Sequence, residues 1–165
     1  EGNSESCSLF FFLHFIIIEL VEMRDFMNTK EYHCGVIDAF NEMVGCGVKK
    51  LALSHPFDTD EERKEVLPFV EEICEKYHTM YYLEDRLLVC DLFAASAQKG
   101  KYMILFYKDK KVLEEYLTLK NVKAESIRRK EYVTVRQAIA YRFGELLSYP
   151  QSTIEKLIAE NKEKG

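Results

Sequence analysis

The sequence predicts an α+β fold, mixed α/β in layout. It has about four strands in one mixed sheet, one parallel βαβ crossover, an antiparallel meander, covering helices and a C-terminal helical hairpin. Three observations carry this expectation. An apolar run of strand length, Val48 to Ser54, is followed by a long helical pattern and then by a β-rich run, Thr79 to Leu83, the order of a right-handed βαβ unit. Two more strand-like runs, Leu87 to Phe93 and Tyr102 to Tyr107, follow over short connections that favour antiparallel neighbours. The last third places apolar residues at helical spacing and is broken at Tyr149-Pro150.

With 165 residues the chain suits one domain, and the 47% hydrophobic and 31% charged shares are those of a globular protein. A net charge of −5, with no recognition-helix, zinc-finger or aromatic RNA-binding motif, argues against nucleic acid as a partner. The five cysteines are widely spaced and form no C-x-x-C, so they read as free thiols of a reducing cytoplasm.

Residues 1–27 stand apart as an apolar extension, and residues 28–165 read as a single α/β domain. Ser8 to Ile18 is apolar except for His14, too short to span a bilayer, and preceded by Glu1 and Glu5 where a signal peptide carries positive charge. Residues 1–22 therefore read as an extension outside the functional domain. The competing reading is a short helix that packs on the core or associates with a membrane through residues 8–18.

From Asn28 the pattern is orderly. Asn28 or Thr29 caps a helix with Glu31 in capping-box position, and Val36, Ile37, Phe40, Met43 and Val44 form its apolar stripe up to Gly45-Cys46-Gly47. After the strand ending at Ser54, Asp58 or Thr59 caps a helix that Pro68 should kink. Glu84-Asp85-Arg86 makes a polar turn between the second and third strands, and Ala94 to Gly100 is a small-residue loop. Asp109 caps a helix bearing Val112, Leu113, Tyr116 and Leu117, and 121–130 reads as an irregular basic connection. Tyr132 to Val135 reads as an extended stub, with Thr134 capping the next helix. Ser152 and Glu155 form a capping box that opens the last one.

The chain is organised around the elbow Ser54-His55-Pro56, where a buried strand gives way to a helix. Ligands of α/β proteins gather outside the carboxyl ends of strands. Ser54 offers a hydroxyl, His55 an acid, base or ligand near neutral pH, and Asp58 and Thr59 mark a helix N-terminus that could receive an anion. Against an anion seat, these same residues can occupy that helix end themselves. No glycine-rich phosphate loop or dinucleotide fingerprint is present, so no cofactor is expected.

Three further candidates stand beside their plainer readings. His33-Cys34 lies in the first turn of a helix, where dipole and imidazole would activate the Cys34 thiol, although His33 also fits a packing position. Asp91 falls on an apolar strand face, where a carboxylate would have a raised pKa, unless the strand ends at Cys90. Arg128 and Arg129 lead a basic patch that suits an anionic ligand or, with Glu125 and Glu131 interspersed, a solvated connection. The four histidines fit no metal-ligand spacing.

These residues point to a cytoplasmic protein that binds a polar or anionic small molecule near Ser54-His55. It is an enzyme if His55, His33, Cys34 and Asp91 converge. The alternative is a non-catalytic interaction or regulatory domain working through the C-terminal hairpin, with a protein partner or a second copy of the chain.

Overall fold

The computed structural model describes residues 29–164. The expectations for residues 1–27 and for Asn28 as a cap lie outside them. Three strands, β1 (Leu51–Leu53), β2 (Met80–Glu84) and β3 (Met103–Tyr107), form a sheet of order β1-β3-β2. Both pairings are antiparallel, with Ala52 opposite Phe106 and Tyr82 opposite Leu105. This corrects the expectation of four strands and a parallel crossover. β1 and β2 run in the same direction, but β3 lies between them, so no parallel pair forms.

The six α-helices of the described residues cover both faces. On one face lie α1 (Lys30–Gly45), α2 (Asp60–Glu65) and α3 (Leu67–Tyr77); on the other lie α4 (Lys110–Arg128), α5 (Tyr132–Leu146) and α6 (Gln151–Glu160). The alternation of β3 shows how the layers are built. Ile104 and Phe106 pack with Ile37, Val44, Val70 and Ile73, while Met103, Leu105 and Tyr107 pack with Tyr116, Phe143 and Ile154. Every residue of β3 is therefore buried, as a central strand covered on both faces requires.

Local chemistry accounts for most element boundaries. Thr29 caps α1 by accepting from the Tyr32 amide at 3.3 Å. Thr59 and Glu62 close a capping box on α2. Pro68 does more than kink its helix: the chain breaks at Val66, α3 starts anew, and the proline sits in the first turn, where its missing N–H costs nothing. Arg63, 3% exposed, anchors α2 by donating to Asp60, to Asp85 and to the Met103 carbonyl.

The run Leu87–Phe93 is not a strand. Leu87, Leu88, Cys90 and Leu92 are all buried, and helices supply the backbone partners a neighbouring strand would have given. The Leu88 amide donates to the Tyr116 hydroxyl at 3.1 Å, Lys123 Nζ donates to the Val89 carbonyl at 2.5 Å, and Asn161 Nδ2 donates to the carbonyls of Asp91 and Phe93 at 3.0 and 2.9 Å. Residues 121–128, expected as an irregular connection, continue α4, and α5 begins at Tyr132 without an extended stub. α6 begins at Gln151, so Ser152 lies inside its first turn instead of capping it. Among the described residues no helix is long and apolar enough to cross a membrane.

Candidate functional site

Among the described residues β1 is an edge strand, and its outer edge flanks a cavity of about 420 Å³. The Ser54 amide donates to the Ile104 carbonyl at 2.8 Å. Hydrogen-bonded positions recur every two residues along an antiparallel strand, so Leu51 and Leu53 direct their backbone groups to the open edge instead. One wall of the cavity is the first half of α1, through Tyr32, Val36 and Phe40. The opposite wall is the end of α5 and the loop before β3, through Leu147, Tyr149, Phe93, Ala97 and Gln98. The floor is β1 and its elbow, from Lys49 to Pro56. Apolar walls with a few polar groups, at this size, are what a small-molecule pocket requires.

The elbow brings His55 against the start of α1. Its ring lies edge-on to Tyr32 with centroids 5.2 Å apart, and 5.5 Å from the ring of His33. His33 is 4% exposed, stacks on Phe57 at 4.1 Å, and has a buried Nδ1 with no hydrogen-bond partner. Burial, and for His33 also the neighbouring His55, holds both imidazoles below the ordinary histidine pKa. The pair is therefore neutral at pH 7, and a neutral His55 on the cavity wall can accept a proton or a hydrogen bond from a ligand.

Other expected site residues are occupied differently. Ser54 lines the cavity, but its hydroxyl donates to the His55 carbonyl and accepts from the Ile104 amide, both at 2.9 Å. It extends the β1–β3 ladder, and its proton points to a carbonyl and not to an imidazole, so it is not an activated nucleophile. Thr59 is committed to its own helix cap, and Asp58 is exposed and paired with Lys101. Cys34 follows His33 on α1, yet burial pushes its thiol pKa up, with Lys30 pulling the other way. The structure thus lacks the activated thiolate expected there.

Asp91 is buried, but it does not line the cavity. Arg136 grips it with Nε to Oδ2 at 2.8 Å and Nη2 to Oδ1 at 2.6 Å, the two-pronged geometry suited to a guanidinium and a carboxylate. Arg128 and Arg129 are exposed at the end of α4, and Arg128 pairs with Glu125 one turn earlier. Of the four residues expected to converge, His33 and His55 meet, Cys34 is adjacent to His33 in sequence, and Asp91 belongs to a separate ion pair.

Sequence reasoning missed Lys49, Gln98 and Tyr149. Lys49 Nζ donates to the Leu147 carbonyl at 2.8 Å and lies 4.8 Å from the centre of the Tyr149 ring, and burial lowers its pKa. Gln98 is 5% exposed, and its Oε1 has no hydrogen-bond partner. A lysine two residues before a buried strand was the one visible signal, because a charge entering the core region needs a reason. Nothing in the sequence marked Gln98. Among the described residues no group of three or more His, Cys, Asp or Glu is placed to hold a metal ion.

No family model, curated protein or solved structure matches this chain.

Proposed function

We propose that the chain binds a small molecule with an apolar body and a polar or anionic head in the cavity beside His55. The observation that supports this is the cavity itself: about 420 Å³ at the end of β1, with apolar walls and His55, Lys49 and Gln98 as its polar points. Such a combination lets burial supply affinity while a few polar groups fix orientation. A neutral His55 would serve as proton acceptor if the bound molecule also reacts there.

The alternative, a protein-interaction surface on the C-terminal hairpin, would need an exposed apolar patch on residues 134–163. Among the described residues the large exposed hydrophobics are Met43, Val48, Val122, Ile127 and Val133, and none falls in that range. Support therefore favours the cavity.

A thermal-shift screen of neutral and anionic small molecules tests the reading. Molecules that stabilise the wild-type chain should lose that effect in His55→Ala and in Val36→Trp, which fills the cavity from α1, while both variants keep the native circular-dichroism spectrum. Stabilisation that survives both substitutions would reject the reading.

A further inference from the structure

We propose that Lys49 is the charge anchor of this cavity and that its ligand is an amphipathic monocarboxylate, the apolar body among the aromatic walls and the carboxylate on the Lys49 ammonium. This rests on the small-molecule reading above and adds the class of ligand.

Two cavity-lining groups place the ammonium at the wall: the Leu147 carbonyl at 2.8 Å and the Tyr149 ring at 4.8 Å. Neither is an anion, and no ion pair to Lys49 is present among the described residues. A half-buried ammonium without a counter-charge is costly, and the fall in its pKa comes from burial. One of its three N–H groups is used on Leu147, which leaves donors for a carboxylate.

The cavity suits one negative charge and no more. Lys49 is the sole lysine or arginine among the described lining residues, so a phosphate dianion would keep uncompensated charge among apolar walls.

The plainer role for Lys49 is to cap the end of α5, since Leu147 is the C-cap of that helix. A capping role alone would change stability and leave ligand choice untouched, so the test reads a ratio. Octanoate, octanol and octylamine are titrated calorimetrically into the full chain and into Lys49→Gln and Lys49→Arg. Octanoate should bind about tenfold or more tighter than octanol, and octylamine weakest. Lys49→Gln should remove the preference by weakening octanoate about tenfold while octanol stays within about twofold, and Lys49→Arg should restore it. An octanoate-to-octanol ratio near unity in the wild type, or one unchanged in Lys49→Gln, overturns the anchor and leaves the cavity reading standing. Failure of all three probes to bind the wild type counts against the cavity reading itself.

Discussion

At the scale of single residues, the buried His33 and the half-buried His55 make the chain sensitive to acid. A histidine held below its ordinary pKa of 6.5 binds fewer protons folded than unfolded. Its contribution to stability is present above that value and is lost as the pH falls through it toward the lower folded pKa. Denaturant midpoints measured from about pH 8 to about pH 5 should therefore fall, and His33→Phe should flatten that fall. The variant should not lose stability at the alkaline end, because it removes a buried Nδ1 that has no partner and keeps a ring against Phe57. A midpoint curve in His33→Phe that still falls as steeply would show that other groups cause the acid sensitivity.

His55 and its elbow were legible in the sequence because a polar tripeptide interrupts a buried strand just before a helix cap. Lys49 was not, since the carbonyl it meets lies 98 residues away. Asp91 illustrates the opposite difficulty. The sequence left it between a buried strand face and an exposed strand end; the structure buries it in a segment that is not a strand, and Arg136, 45 residues on, decides whether the carboxylate is reactive or neutralised. Removing the guanidinium takes the two-pronged partner away from a carboxylate whose side chain is 6% exposed. Arg136→Ala should cost roughly 2–3 kcal/mol in chemical denaturation, with binding at the cavity unaffected. A loss under about 0.5 kcal/mol would mean that water reaches Asp91 freely.

At the scale of elements, the sequence resolved helices with caps and an amphipathic stripe and failed where backbone partners come from far away. Leu87–Phe93 has the apolar density of a strand, and short apolar runs do not distinguish strand from buried coil. Side chains of α4 and Asn161 decided the matter. Tyr116 is central to this: buried in the α4 core, it accepts from the Leu88 amide and donates to Glu84 Oε2 at 2.8 Å. Tyr116→Phe deletes both bonds and leaves two buried polar groups short of a partner. The expected cost is about 1–3 kcal/mol by urea denaturation, together with faster amide exchange at Leu88. Unchanged exchange at Leu88 would mean that the segment is held without the hydroxyl. Pro68 was also half legible. The residue signalled a disruption, but whether a helix bends or restarts depends on the packing of Val66 and Val70 against the sheet.

At the scale of the whole molecule, the order of strands lay beyond sequence reading. A strand–helix–strand series gives two strands of the same direction, and nothing local says whether a later strand will pair between them. Here β3 does so, because it is the most apolar strand and is buried along its whole length. That placement leaves β1 on the edge and creates the cavity between the two helical layers. The site thus exists only once the sheet order is known, although the residue at its centre was visible beforehand.

The central claim is that a small molecule enters at the β1 edge beside His55. The most direct measurement is an amide chemical-shift titration of the isotopically labelled full chain with octanoate. The largest shifts should fall on Leu53, Ser54, His55 and Gln98, with Arg128, Arg129 and residues 151–160 unmoved. Shifts centred on the C-terminal hairpin, or saturating shifts that bypass the elbow, would contradict it.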